Sequence, residues 1–278
     1  MYLISKLYYQ LDDSTILKST QYNLYITPHE LLRPYISNYT ISFPDHNMVS
    51  GTLTLIPDAS GSLTFAFDGN EITSELWGTT TKIKVIGNEA NHYSVMLFVE
   101  LHPYGLYQFT GINQVELRDV RLPLEMVNKP LCILLCNALE QAKSVNDLVL
   151  KLNDVFLSLM GNSRPLSTLS RVLKKIRDSK GLTTVKEISA SEHYSERHLN
   201  GIFYQHIGMS VKLFSRLVRI NTAIRQMQSP PNTLVQLAQQ TGFYDQSHFV
   251  NDFKSICGVT PENYLKNMSD FYNETLKL

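Results

Sequence analysis

Cysteine is scarce in this chain of 278 residues. Cys132, Cys136 and Cys257 cannot build a paired framework at this length, so a reducing compartment is expected. Long hydrophobic runs are missing as well. No stretch approaches about 18 uninterrupted apolar residues, the length a bilayer-spanning helix needs. The opening, MYLISKLYYQLDD, lacks the basic and then apolar pattern of a secretory signal. These absences together predict a cytoplasmic protein. G-x-S-x-G, the Walker sequence, H-E-x-x-H and G-x-G-x-x-G do not occur, which leaves hydrolase, nucleotide and dinucleotide chemistry unsupported. No internal repeat appears at solenoid periods. What is present is ordinary globular material: 43% hydrophobic and 18% charged residues, enough to bury cores and to argue against bulk disorder.

Net charge is absent too, with 25 basic against 25 acidic residues, but the average conceals a division. Before Arg164 there are 10 basic and 16 acidic residues, net −6; from Arg164 onward there are 15 and 9, net +6. An acidic half joined to a basic half predicts that one part touches phosphate and the other does something else.

Residues 21 to about 125 read as strands. Apolar and polar residues alternate through TLTL (52–55), GSLTFAFD (61–68), TKIKVIG (81–87) and YSVMLFVE (93–100), which turns one face to a core and the other to water. Turn chemistry at Pro57–Gly61, Asp68-Gly69-Asn70 and Gly87-Asn88 separates them. Short strands at this spacing predict a small antiparallel barrel or sandwich. PHELLRPYI (28–36) and HPYGLYQFTG (102–111) break the pattern as short helical or looped insertions. After Met126 the period becomes about 3.6. Ser144 is a candidate cap for a helix striped by Leu148, Leu152, Val155, Phe156 and Leu159. The stripe suits either self-association or packing on the chain's own strands. Gly161-Asn162-Ser163 follows as a linker. The resulting organisation is a β-rich domain at 1–126, a helical linking or dimerising segment at 127–163, and an all-helical domain at 164–278.

The helical part repeats one design: short helix, tight turn, second helix. Thr184-Val-Lys-Glu187 and Thr233-Leu-Val-Gln236 are capping-box signatures that open the short helices. Ser195 caps a helix running to Ile207 before Gly208, and another runs from about Asp245 to Cys257 before Gly258. Val211 to Gln228 forms one apolar-striped connector, ended by Ser229-Pro230-Pro231. Eighteen helical residues span roughly 27 Å, which can set two reading helices about one duplex turn apart, near 34 Å.

EISASEHYSERHLNGIFYQHIGMSVKLFSRLVRINTAI and LAQQTGFYDQSHFVNDFKSICGVTPENYLK resemble the double helix-turn-helix of AraC-type (AraC/XylS) transcriptional regulators. The second stretch carries T-G-F, S-x-F, F-K, G-x-T-P and Y at that family's spacing. The resemblance implies core roles for Phe243, Phe249, Phe253 and Tyr264 and a helix-starting role for Pro261. It also implies base reading by Glu196, Arg197, Asn200 and Gly201 in the first unit, and by Gln246, Ser247, His248 and Asn251 in the second. Arg197 suits a guanine edge; Asn200, Gln246 and Asn251 suit adenine. Gly201 and Asn251 stand where the family commonly has arginine, which points to a divergent target. Lys212, Arg216, Arg219 and Lys254 are candidate phosphate contacts, Lys254 being carried by the motif itself.

A β-rich domain ahead of such a unit resembles the family's cupin-like sensor barrel. The expected fold is therefore α+β and multidomain: a cupin-like barrel with linking helices, then a tandem helix-turn-helix. The expected partners are double-stranded DNA, a small effector and a second copy of the chain through the 129–160 helices. A protein-interaction module tethered to DNA is the alternative for the first half. No cofactor, metal or enzymatic activity is expected, since His29, His46, His92 and His102 lie far apart with no H-x-H pair. Cys132 and Cys136, one helical turn apart among Leu and Ile, read as buried filler. Ten of the 15 tyrosines and the sole tryptophan, Trp77, fall in this half, either filling a barrel or lining a pocket. Arg33 and Glu100 sit among apolar neighbours, as ligand-orienting groups or as exposed charges.

Overall fold

The computed structural model describes residues 15–44, 51–160, 167–228, 233–268 and 271–272. The expected signal-free start, His46, the linker Gly161-Asn162-Ser163 and the stop Ser229-Pro230-Pro231 lie outside the described residues.

The first half is built on a seven-stranded antiparallel sheet. Its strands are β1 (Ile16–Ser19), β2 (Asn23–Ile26), β3 (Ile36–Ser42), β5 (Ser62–Phe67), β6 (Ile72–Trp77), β8 (Val95–Leu101) and β9 (Arg121–Pro123). They lie in the order β1-β2-β3-β8-β5-β6-β9. Two further strands, β4 (Thr54–Leu55) and β7 (Lys84–Val85), pair with each other and not with the edges β1 and β9. Among the described residues the large sheet is thus open, and the closed barrel expected from the sequence is corrected to two facing sheets.

Strand alternation sorts the side chains. Leu24, Ile26, Tyr39, Ile41, Leu63, Phe65, Leu76, Leu97 and Val99 point to one face and form a buried core with two helices. Those helices are α3 (Lys129–Gln141) and α4 (Val145–Met160), which follow α1 (Gly105–Thr110) and the short α2 (Leu124–Val127). Asn128 and Ser144 cap α3 and α4, accepting from the backbone N–H of Leu131 and Asp147 at 3.1 and 3.0 Å. The α4 stripe settles on the chain's own sheet: Leu148, Leu152 and Phe156 are in that core, with Val155 and Leu159 against it. It is covered, so the self-association expected of it has no free face there. Cys132 and Cys136 are free thiols with sulfurs 4.0 Å apart, and burial is the first cause that pushes the Cys136 thiol up to about 12.

The second half contains α5 (Ser167–Asp178), α6 (Val185–Ser191), α7 (Glu196–Ile207), α8 (Val211–Met227), α9 (Leu234–Gln240), α10 (Gln246–Cys257) and α11 (Pro261–Lys266). The connector α8 is the hub, with Phe214, Leu217, Val218, Ile220, Ala223 and Ile224 all buried. Around it pack Phe203 from α7 and Phe249 and Phe253 from α10. Phe243 is buried in the same core, and Pro261 starts α11, which adds Tyr264. A last strand, β10 (Phe271–Tyr272), runs parallel to β4, so the small sheet draws strands from both halves of the chain.

The halves also meet through side chains. Ile56 and Ala59 belong to the core around α8, and Asn221 on α8 donates to the Pro57 carbonyl at 2.9 Å. Gln114 N–H donates to the Gln205 carbonyl at 2.9 Å, the Gln205 amide donates to the Tyr107 hydroxyl at 3.1 Å, and the Tyr107 and His206 rings meet edge-on at 4.0 Å.

Candidate nucleic-acid interface

Two helix pairs present the same arrangement because the same local chemistry builds them. In α6 the Thr184 hydroxyl accepts from Glu187 N–H at 3.2 Å, while the Glu187 carboxylate accepts from Thr184 N–H at 2.8 Å. That backbone donor, with the Thr184 hydroxyl, holds the Glu187 carboxyl below its usual range. Thr233 and Gln236 repeat the box in α9 at 3.2 and 2.9 Å. Such reciprocal bonds satisfy amide groups that a helix start would leave orphaned. The following helices begin equally firmly: Ser195 accepts from His198 N–H at 3.2 Å, and Asp245 from His248 N–H at 2.7 Å. Both end on a left-handed glycine, Gly208 and Gly258.

This leaves the leading turns of α7 and α10 facing outward. Glu196, Arg197, His198 and Gly201 are exposed on α7, and Gln246, Ser247, His248 and Asn251 on α10. Asn200 is the exception among the expected readers. Its Nδ2 donates to the Glu196 carbonyl at 2.9 Å and its Oδ1 accepts from Val211 N–H at 3.1 Å. Both ends of the amide are therefore used inside the protein, where Asn200 fixes the angle between α7 and α8.

The expected phosphate contacts divide similarly. Lys212 and Lys254 are exposed, with no ion pair among the described residues. Arg216 ion-pairs with Asp252 and donates to the Ser255 hydroxyl at 2.9 Å, tying α8 to α10. Arg219 donates to the Gly181 carbonyl at 2.8 Å and lies over the Phe243 ring at 5.2 Å. Burial, the first of its causes, lowers the Arg219 pKa. Arg216 and Arg219 hold the helices together rather than reaching outward. On α5, Arg171 and Lys175 are bound at 2.8 and 2.5 Å by Glu192, which they hold below the usual carboxylate range.

Two outward residues escaped the sequence reading. Tyr244, 93% exposed, stands in the turn just ahead of α10, and Lys186 is exposed on α6. The signal for Tyr244 was its place beside Phe243: one of the two aromatic residues enters the core, and the tight turn forces its neighbour outward.

Residues 188–267 match a family model described as a helix-turn-helix domain. The carboxy-terminal unit is a helix-turn-helix domain. Similar curated proteins include the HTH-type transcriptional regulator YisR of Bacillus subtilis, 29% identical over 87 residues, 31% of this chain and 30% of YisR. GlxA of Rhizobium meliloti is 36% identical over 67 residues, 24% of this chain and 21% of GlxA. The matches thus span less than a third of these relatives. ToxT of Vibrio cholerae aligns over 82% of this chain and 97% of its own, at 13% identity and a TM-score of 0.42.

Away from this unit, among the described residues no group of three or more His, Cys, Asp or Glu side chains is placed to hold a metal ion. His29 and His92 are exposed, and His29 caps a short 3-10 turn by accepting from Leu31 N–H at 3.3 Å. Arg33 is exposed, whereas Glu100 is buried and lines a cavity between the two sheets. No described helix is long and apolar enough to cross a membrane.

Proposed function

We propose that the chain is a sequence-specific DNA-binding transcriptional regulator in which α7 and α10 enter adjacent major grooves as tandem readers. The exposed polar first turns of two capped helices, mounted on the stiff rod of α8, carry this reading. Seventeen helical residues make α8 roughly 25 Å long, compatible with two readers about one duplex turn apart. Glu196, Arg197, Gln246, Ser247, His248 and Asn251 face base edges. Lys212 and Lys254 contact phosphates, and Tyr244 adds a ring and hydroxyl at the backbone. Asn200, Arg216 and Arg219 position these groups. The test is electrophoretic retardation of a random duplex pool by the full chain across a salt series. Retardation that weakens with salt and selects a subset of sequences is expected. Retardation of every sequence alike, or none, contradicts the reading.

The first half, in this reading, is the counterpart of a cupin-like sensor. Its support is the segment Ile56–Ser60, which belongs to two places at once. Ile56, Asp58 and Ser60 line the cavity between the sheets, while the Pro57 carbonyl accepts from Asn221 of α8 and Ala59 belongs to the core around α8. Ala59 holds this crossing with φ of 60°, a conformation non-glycine residues rarely adopt. A ligand that favours one arrangement of this segment would shift α8 and with it the spacing of the readers. A second copy or a protein partner would meet the exposed apolar residues Met126, Ile133, Leu134 and Leu150 on α2 to α4. Light scattering of the native chain and of Leu150→Glu distinguishes self-association through that face from a monomer.

A further inference from the structure

Each reading helix ends against the first half, at the end opposite its exposed leading turn. At the rear of α7, Gln114 N–H donates to the Gln205 carbonyl at 2.9 Å. The Gln114 backbone also fills the space beside Gly208, where a Cβ would lie 2.6 Å from the Gln114 carbonyl oxygen. At the rear of α10, Ile83 packs on the core of the second half and covers Gly258, where a Cβ would lie 2.4 Å from Ile83 Cδ1. Gln114 belongs to the segment 112–120 between α1 and β9, and Ile83 to the segment 78–83 between β6 and β7.

These two segments are bonded into one piece. The Thr79 carbonyl accepts from Asp119 N–H at 2.9 Å, and the Thr79 hydroxyl donates to the Gln114 side-chain carbonyl at 3.4 Å. Thr79 and Gln114 are both buried. The Asp119 carboxylate accepts from Thr81 N–H at 2.7 Å, from the Thr81 hydroxyl at 2.5 Å and from Lys82 N–H at 3.3 Å. Asp119 holds this place with φ of 59°, a left-handed conformation that Asp and Asn tolerate better than most other side chains. Backbone bonds continue to the wall of the cavity, from Ala59 N–H to the Thr80 carbonyl at 3.2 Å and from Thr80 N–H to the Ser60 carbonyl at 3.1 Å. The segment against α7 and the segment against α10 are therefore constrained to move together.

We propose that segments 78–83 and 112–120 form a brace that fixes the separation and tilt of the two reading helices, with Asp119 as its positioning residue. Asn200 and the Arg216–Asp252 pair tie each reader to α8 at its side. The brace adds a hold at the rear end, and two holds stop a swing that one permits. Each reader has 12 residues, a length of roughly 18 Å. A tilt of about 10° at the rear end would carry the leading turn about 3 Å, close to the step of one base pair, about 3.4 Å. The consequence at the duplex rests on the DNA reading proposed above; the brace itself does not.

The full chain is compared with Asp119→Ala, Asp119→Asn and Asp68→Ala by hydrogen exchange without DNA and by selection of bound sites from random duplexes. Asp119→Ala is expected to speed exchange about fivefold or more in the amides around both Gly208 and Gly258. Its selected sites should keep both motifs but let their spacing vary by about one base pair. Asp119→Asn, which keeps an acceptor for Thr81 N–H and suits the left-handed backbone, should restore native behaviour in both measurements. Asp68 fixes an exposed turn after β5 in the same manner, accepting from Asn70 and Glu71 N–H at 2.8 and 3.0 Å. Asp68→Ala should lower the thermal midpoint without either effect. Thr81→Val, which removes only the hydroxyl bond, serves if Asp119→Ala fails to fold. Native exchange at either glycine, a spacing as fixed as the native one, or the same changes in Asp68→Ala overturns the proposal. Should the native chain select no motifs, the DNA reading fails, and exchange alone decides the brace.

Discussion

His206 lies where the two halves touch, its imidazole against the Tyr107 ring and its neighbour Gln205 bonded to the Tyr107 hydroxyl. Burial lowers its pKa, so the folded protein keeps it neutral. The unfolded chain, with an ordinary value of about 6.5, takes up the proton first as pH falls. The histidine's contribution is therefore complete above about pH 6.5 and is lost as pH drops toward the folded value. His206→Phe keeps a ring and removes the titration. Melting between pH 7 and 5 should show a steeper loss for the native chain than for His206→Phe; equal slopes would contradict the assignment. In the proposed reading, Arg197 and Lys254 separate the two kinds of DNA contact. Arg197→Ala should relax preference at one base pair and cost about 1–3 kcal/mol, whereas Lys254→Ala should weaken all duplexes alike and flatten the salt slope by about one unit. Competition binding at several salt concentrations reads both, and a sequence-selective loss in Lys254→Ala would remove its phosphate role. At this scale the sequence was only partly legible. Residue type and motif position marked Asn200 and Arg219 as DNA contacts, yet Asn200 is drawn to the open amide of Val211 and Arg219 to the Gly181 carbonyl. Those partners lie 11 and 38 residues away, beyond what local pattern reveals.

Helix starts and stops were the most readable elements, because capping is decided within four residues. Thr184, Ser195 and Thr233 take the N-cap positions their sequences suggested, and Asp245, expected as the start of its helix, caps it instead. Two glycines in or beside α7 show how differently the same residue can serve. Gly201 is exposed, and a methyl group there would meet no atom within 4 Å, so Gly201→Ala should stabilise the fold by about 1 kcal/mol. Gly208 has φ of 82°, and a Cβ would lie 2.6 Å from the Gln114 carbonyl oxygen. Gly208→Ala should therefore destabilise by more than about 1 kcal/mol, from backbone strain and from the clash with the first half. Denaturant melts of the two variants should move in opposite directions; a common direction would be wrong for one of them. Strands were less legible. Alternation marked β5 and β8, but Thr64, on the face expected to be wet, and Glu100, read either as a ligand-orienting group or as an exposed charge, are both buried beneath the small sheet. Alternation tells which residues share a face and not what covers it.

The whole molecule is two cores joined by the Ile56–Ser60 segment, the Gln114–Gln205 contact and the shared small sheet. Asn221 is central to this union, donating to both the Pro57 and Leu217 carbonyls at 2.9 Å. Asn221→Leu leaves a buried carbonyl unpaired and should cost about 1–3 kcal/mol. Denaturant melts of the native chain and the variant read that loss; an unchanged midpoint would place the union of the halves elsewhere. Charge division and the change of period announced two halves, but nothing local announced that the first half lends Ile56 and Ala59 to the core of the second. The central claim is that α7 and α10 each read their own stretch of one duplex. Selection of bound sites from random duplexes by the full chain, repeated with Arg197→Ala and with Gln246→Ala, tests it most directly. Two motifs about one helical turn apart are predicted, with one blurred by each variant. A single motif untouched by either variant, or no enrichment at all, would contradict it.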